Sequence, residues 1–282
     1  EEVAFNQRVG QLQRSIGVIA DTWPHMLVTR EEWGYKLQPI IAGKLAYDRL
    51  VKFGAKVLFM SGTIGDPYMF AHQLGIPADQ CAVFRSPSSF PVANRPIIYS
   101  PAGKMGRKSN QIKEIVAAVD RDMEAHPNEP GIVHTVSIKR AAEVREYSKY
   151  KDRLIVHGFS RYPLADYLEA AKAGANKVLI SPSVGRGTDF IGDLGRWQAV
   201  IKVPYPDLGD PVVQARKDMP GGWDWYFDEA ARSLIQMTGR IVRSEEDYGV
   251  TYIHDMGMAQ LFGRAKKSFP AWWLESIQRR EV

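Results

Sequence analysis

Between residues 110 and 255 the chain alternates amphipathic stretches, with apolar positions three and four apart, and short runs that are apolar throughout. Residues 110–125 are of the first kind: Ile112, Ile115, Val116 and Val119 share one helical face, and Asn110 ahead of them is the expected N-cap. Gly131-Ile-Val-His-Thr-Val is of the second kind and predicts a buried strand. A helix over 138–147, a strand over 154–157 and a helix over 163–173 follow. Lys177-Val-Leu-Ile-Ser, Ala199-Val-Ile-Lys-Val and Gly249-Val-Thr-Tyr-Ile-His supply three more strands. Apolar strands separated by helices predict an α/β fold with a parallel sheet covered on both faces. Ligands of such sheets sit beyond the carboxyl ends of the strands, so chemistry is sought in the loops that follow them.

The flanks differ in texture. Residues 85–109 are rich in Pro, Gly, Ser and basic side chains and read as a linker. Ahead of them, Ala55-Lys-Val-Leu-Phe-Met-Ser predicts one more buried strand, followed by a Gly-rich turn and a short helix through Phe70 to Leu74. Two helical stretches are expected earlier, over 5–19 and 37–53. The division expected is a helical segment 1–54, a partial α/β segment 55–92 and a larger α/β domain 93–282.

Composition narrows the class. With 45% hydrophobic and 24% charged residues, the chain is that of an ordinary globular protein of one or two domains. No apolar run reaches the roughly 18 residues of a membrane span, and Glu1-Glu-Val-Ala-Phe lacks the pattern of a signal peptide. The absence of an initiating Met suggests a segment of something longer. A single cysteine, Cys81, leaves no internal disulfide and no cysteine cluster in this segment, which fits a reducing compartment. A net charge of +5 is compatible with a polyanionic partner.

Candidate chemistry concentrates in Gln236-Met-Thr-Gly-Arg240-Ile-Val-Arg243. On a helix, Gln236, Arg240 and Arg243 fall on one stripe, with Phe227, Ala231, Leu234 and Ile241 on another. Arginine keeps its charge and forks onto phosphate oxygens, the property needed to stabilise a transferring phosphoryl group. The alternative is a solvated basic face, with Arg232 paired to Asp228 and Arg243 to Asp247. In Ser183-Val-Gly-Arg-Gly-Thr-Asp189-Phe, Gly185 and Gly187 permit close approach to a phosphate chain, and Asp189 either bonds a ribose hydroxyl or orients an arginine; the alternative is a capped turn. Ser61-Gly62-Thr63 and Thr135-Val-Ser137 also follow strands. Trp223, Trp225, Tyr226, Trp272 and Trp273 are stacking platforms or, more in keeping with large aromatics, core. His134, His157 and His254 lack metal-ligand spacing. Lys104, Arg107, Lys108 and Lys139 either meet phosphates or form a plain solvated surface.

Together these segments resemble the second half of a superfamily 2 DNA helicase of the XPD/DinG-like group, over residues 37–282. The residues that carry the resemblance are Met60-Ser-Gly-Thr-Ile-Gly-Asp-Pro as motif III, Gly187-Thr-Asp189-Phe190 as motif V, and Gln236 to Arg243 with Asp247-Tyr-Gly249 as motif VI. Lys202-Val-Pro-Tyr-Pro and Asp210-Pro211 lie between the last two, as in the family. Arg186 stands where the family usually carries Glu. No Gly-x-x-x-x-Gly-Lys-Ser/Thr phosphate loop and no Asp-Glu-x-His box is present.

The resemblance implies a RecA-like motor domain 2 over 93–282, preceded by the end of motor 1 with motif III over 55–92. It implies ATP and Mg²⁺ held mainly by a first motor upstream, where any iron–sulfur cluster would also lie. Arg240 and Arg243 would be catalytic fingers, with Gln236, Asp189 and Gly187 binding ATP. Ser61, Gly62 and Thr63 would couple hydrolysis to movement, and Ser137, Lys139, His157 and Ser183 would hold single-stranded DNA. The partners implied are that strand and the N-terminal motor, with no membrane, in the cytoplasm (at the nucleoid) or the nucleus. A non-catalytic nucleic-acid-binding or regulatory module on the same fold is the alternative.

Overall fold

The Val- and Ile-rich runs fold as the alternation predicts, in a computed structural model that describes residues 2–22, 25–106, 110–182 and 189–279. The chain forms two compact units, 1–85 with 206–229, and 86–205 with 230–282.

In the first unit a helix, Glu2–Thr22, covers the first predicted helical stretch. Next come strands β1 (Met26–Glu31) and β2 (Gly34–Pro39), an antiparallel hairpin in which Glu31 faces Gly34. The second predicted helix, 37–53, is shortened: Leu37 belongs to β2, and the helical segment begins at Gly43, α-helical to Ala46 and π-helical over Tyr47–Val51. The buried strand expected over 55–61 does not form, and those residues are exposed. A central strand needs neighbours on both edges, and the only described sheet in this unit is the hairpin. Asp66 then caps the helix Pro67–Gln73, its carboxylate accepting from the N–H groups of Tyr68 and Met69. Its own N–H donates to the buried Asp228 at 2.8 Å. The helix Pro211–Lys217, capped by Asp210, and the first part of helix Gly222–Thr238 complete the unit.

The second unit is a seven-stranded sheet of β3 (Ile97–Gly103), β4 (Gly131–His134), β5 (Leu154–Val156), β6 (Val178–Ser181), β7 (Trp197–Val200), β8 (Val250–Asp255) and β9 (Ile277–Arg279). Their order is β5-β6-β4-β7-β8-β3-β9, and every pairing is parallel. Alternate side chains divide between two cores. Val133, Val178 and Ile180 pack with Ile115, Val116 and Val119 of helix Ile112–Ala125 and with Ala141 and Val144 of helix Ile138–Tyr147. Ile132 and Leu179 point the other way, toward Tyr167 of helix Pro163–Lys172 and toward Phe190, Ile241 and Val242. Burying each such side chain contributes about 1.5–3 kcal/mol, so the sheet is held from both faces.

Three elements depart from expectation. The supposed linker 85–109 contains β3, which lies between β8 and β9. Its apolar run Ile97-Ile-Tyr99 is short and set among prolines, but pairing on both edges overrides that local composition. β9 near the C-terminus was also unpredicted. Buried Arg95 fastens the two strands, bonding the carbonyls of Phe90 and Trp272, the Ser276 hydroxyl and the Glu275 carboxylate. Asn110 is not the cap of its helix: Gln111 holds the N-cap position, and Asn110 accepts from Arg140 Nη1 at 2.6 Å.

In the pairing of β4 with β7, Gly131 faces Trp197. A Cβ at Gly131 would lie 2.1 Å from Trp197 Cε2, inside a ring that is fully buried. Gly131→Ala is therefore expected to destabilise the chain by about 1–3 kcal/mol, the cost of overpacking a tight core. Urea unfolding followed by circular dichroism measures it, and an unchanged midpoint would mean the ring moves aside at no cost.

Candidate functional site

Helix Gly222–Thr238 carries the arginine motif to the sheet and then stops. Ala231, Leu234 and Ile235 bury one face, while Gln236 is exposed. The helix expected to run on through Arg243 does not: Arg240 and Arg243 lie in the bend and loop after Thr238, so they share no helical stripe with Gln236. The cause is a buried polar net. Gln198, in the middle of β7, donates from its amide to the Thr238 carbonyl and the Thr251 hydroxyl, both at 2.8 Å. Another turn would need that carbonyl for the N–H of residue 242. The Thr238 hydroxyl donates to the Ile235 carbonyl and accepts from Trp273 Nε1. Beyond the stop, the Arg240 carbonyl accepts from the Phe190 N–H at 3.1 Å.

Asp247 fixes the loop's far end. It is buried and accepts from Arg196 Nη1 at 2.9 Å, from the Tyr248 N–H at 3.0 Å and from the Arg243 N–H at 3.2 Å. Arg196 in turn lies over the Tyr248 ring and pairs with Asp193. A Cβ at Gly249 would meet Ile241 Cδ1 at 2.7 Å, which explains glycine after Asp247-Tyr248.

The Arg243 side chain does not pair with Asp247, whose carboxylate is taken up by Arg196 and by backbone. Instead Arg243 Nη2 donates to Asp189 Oδ2 at 2.9 Å, and Nη1 to the Gly239 carbonyl. Asp189 thus stands where it can orient an arginine, as one of its two expected roles requires. Burial lowers the pKa of the Arg240 guanidinium; Asp189 opposes that shift and the like charge of Arg243 adds to it. These three charges therefore sense one another, and Arg240 remains a cation that is partly stripped of water. Gly187 and Ser183, with Gly185 and Arg186, lie outside the described residues.

His134, at the end of β4, belongs to the same net. Gln198 uses its amide as a donor elsewhere, so its Oε1 accepts from His134 Nε2 at 3.0 Å. Burial drives the pKa of His134 down to about 4, with the Gln198 bond resisting and the charge of Arg240 assisting. His254 is also structural, bonded to Asp122 and to the Ser100 carbonyl. Asp255 ends β8 and accepts from the N–H groups of Val203, Gly257 and Met105, gathering three strand-end loops; burial raises its pKa.

The strand ends β4, β6 and β5 form a laced rim. The Thr135 N–H donates to the Ser181 carbonyl and the His157 N–H to the Ile180 carbonyl, each at 2.9 Å. Val136 has φ 55°, a strained value for a β-branched residue, held by the Thr135 hydroxyl on the Ser137 carbonyl. Ser137 caps the helix Ile138–Tyr147 by accepting from the Arg140 N–H. Lys139 and Lys104 are exposed and His157 is half-buried, while Arg107 and Lys108 lie outside the described residues. Among the aromatic residues, Trp225, Tyr226 and Trp273 are core and Trp223 is half exposed.

Ser61, Gly62 and Thr63 belong to the other unit. Ser61 Oγ accepts from the Thr63 N–H at 3.1 Å, a local turn on an exposed segment. Gln198, Arg196 and Asp255 escaped sequence reading; the one available signal was a glutamine inside the apolar run Trp197–Val200. Among the described residues no cluster of His, Cys, Asp or Glu is arranged to hold a metal ion, and no helix is long and apolar enough to cross a membrane.

Known proteins resemble this chain both in sequence and in fold. A family model described as the helicase C-terminal domain matches residues 123–276, more than half of the chain. Human regulator of telomere elongation helicase 1 is 33% identical over 100 residues, 30% of this chain and 8% of that protein. The helicase subunit XPD of general transcription and DNA repair factor IIH from Dictyostelium discoideum is 28% identical over 132 residues, 44% of this chain and 17% of that protein. The matches thus span a small part of these relatives. A solved XPD helicase structure superposes with a TM-score of 0.61 at 13% identity, covering 97% of this chain and 51% of that one. An apo XPD structure gives 0.59 at 14%, with 98% and 59% covered. The likeness assigns the sheet to the RecA-like α/β fold.

The buried His134 makes stability depend on pH. Its folded pKa of about 4 lies below the ordinary 6.5, so the unfolded chain takes up the proton first. Its contribution is complete above pH 6.5 and falls away as pH drops toward 4, by at most about 3 kcal/mol. Urea midpoints measured across that window should fall more steeply for the wild-type chain than for His134→Gln; parallel curves would show that folding leaves the pKa of His134 unshifted.

Proposed function

Because the chain belongs to the helicase C-terminal domain family, as the C-terminal part of an XPD/DinG-like superfamily 2 helicase, we propose that it supplies motor 2 of an ATP-dependent DNA helicase moving 5′ to 3′. ATP and Mg²⁺ are held mainly by the N-terminal motor, which carries the phosphate loop and any iron–sulfur cluster. Motor 2 completes that site with Arg240 and Arg243, assisted by Gln236, Asp189 and Gly187. Ser61, Gly62 and Thr63 couple hydrolysis to strand movement. Ser137, Lys139, His157 and Ser183 grip the backbone of single-stranded DNA.

The arrangement of the three charges supports this reading most directly. Arg240 is a partly desolvated cation beside Asp189 and Arg243. An arriving γ-phosphate replaces lost hydration with charge-assisted bonds. The Arg243–Asp189 pair is half exposed, and such pairs contribute only about 0–1 kcal/mol, so exchanging the carboxylate for phosphate costs little. Hydrolysis removes the phosphate and returns Arg243 to Asp189.

In the protein carrying both motors, Arg240→Ala or Arg243→Ala is expected to cut ATP turnover by about 10³-fold or more, with folding unchanged. Steady-state hydrolysis and a thermal melt on the same preparation test it, and near-normal turnover in a folded variant removes the finger role. The 282-residue chain alone is expected to show no ATPase above background. Robust turnover would mean that it holds nucleotide without a first motor.

A further inference from the structure

The loop after β5 carries two exposed aromatic rings, each faced by an arginine, Arg145 of the helix Ile138–Tyr147 and Arg161 of the loop itself, that the gripping residues above do not use. Phe159 is 56% exposed although Arg145 lies over its ring, 4.6 Å from the centroid. Three residues on, Tyr162 is 59% exposed with Arg161 at 5.2 Å. Gly158, at φ 94°, makes the turn that presents Phe159, and a Cβ there would meet Ile138 Cγ2 at 3.0 Å; Ile138, at the start of the helix preceding β5, is itself 55% exposed. An isolated exposed Phe carries no meaning. Here the rings stand at the carboxyl end of β5, on the rim laced to β6 and β4 by the His157 and Thr135 amides.

We propose that Phe159, backed by Arg145, is a base-stacking platform for single-stranded nucleic acid, with Tyr162 and Arg161 as its neighbour in the same loop. The inference rests on the reading of this rim as the strand path and adds contact with bases to contact with phosphates. Three features favour a base over other apolar partners. A guanidinium under the ring orients it and supplies charge to the same nucleotide's phosphate, a pairing of stacking and electrostatics suited to single strands. Ser137, with its helix N-terminus, and exposed Lys139 sit on the same rim, so a backbone passing them carries its bases toward Ile138 and Phe159. The ring is also already ordered by Arg145, which lessens the entropy lost on stacking.

The test is fluorescence anisotropy of the 282-residue chain with two labelled oligomers of about 16 nucleotides, oligo-dT and a phosphodiester of equal length without bases. The wild-type chain is expected to bind both, oligo-dT more tightly, with affinities that fall as salt rises. Phe159→Ala should weaken oligo-dT binding by about 5- to 100-fold, the range for removing one stacking ring, and leave the base-free oligomer unchanged. Phe159→Trp should retain oligo-dT binding. Unchanged oligo-dT affinity in Phe159→Ala, or equal loss on both oligomers, overturns the platform while leaving the phosphate grip in place. A folded wild-type chain that binds neither oligomer overturns the grip and the platform together.

Discussion

One side chain, Gln198, decides where the arginine motif lies. A glutamine in the centre of an apolar sheet is costly unless each of its polar atoms is satisfied. Here the amide serves the carbonyl of Thr238 and the hydroxyl of Thr251, and the carbonyl accepts from His134. Satisfying Gln198 therefore ends the helix at Thr238 and ties that end to strands β4, β7 and β8. Trp273 closes the net through the Thr238 hydroxyl. Arg240 stands two residues beyond a point fixed to the sheet, which restricts its reach without placing it in a helix.

The two ion pairs of the loop differ in burial, and the difference sorts their roles. Asp247 and Arg196 are shielded from water, and removing one partner of such a pair typically costs about 3–5 kcal/mol. That pair, with the Arg243 N–H on Asp247, fixes the backbone. Asp189 and Arg243 are much more open, so their attraction is weakened by solvent. The loop thus combines a fixed main chain with a side chain able to change partner, which is what the proposed role of Arg243 needs.

Much of the second unit was legible because its strands and helices obey different periods. The helix Ile138–Tyr147 and strands β4, β5, β6 and β8 stand within a residue or two of where apolar spacing puts them. The errors share one physical origin, long-range pairing that local composition does not encode. β3 and β9 are short runs made into strands by edge pairing. Residues 55–61 have strand composition and no described strand to pair with. The helix was overextended for the same reason, since what stops it is Gln198, forty residues earlier in the chain. Of the two carboxylates that the sequence offered to an arginine, Asp247 lies at helical spacing from Arg243 and would have paired with it only on a continued helix, whereas Asp189, from another loop, is the one that meets its side chain.

The sheet order bears on how one edge could serve nucleotide and strand together, as proposed. From β4 the chain moves outward to β5 and returns through β6, and then crosses to β7 and β8 on the other side. Connections diverge between β4 and β7, and in open α/β sheets such a point, beyond the carboxyl ends of the strands, is where ligands bind. His134 and Gln198 come from these two strands, and the charge of Arg240 is felt at His134, so the arginine loop belongs to this switch point. The rim that carries Ser137, His157 and Phe159 lies wholly on the β5-β6-β4 side. On the proposed reading, the arginines and the strand contacts share β4 as a common edge. On the same reading, a shift in the arginine loop on phosphate release would reach β4 by way of the Thr238 carbonyl and Gln198, whose side chain bonds His134 at the end of that strand.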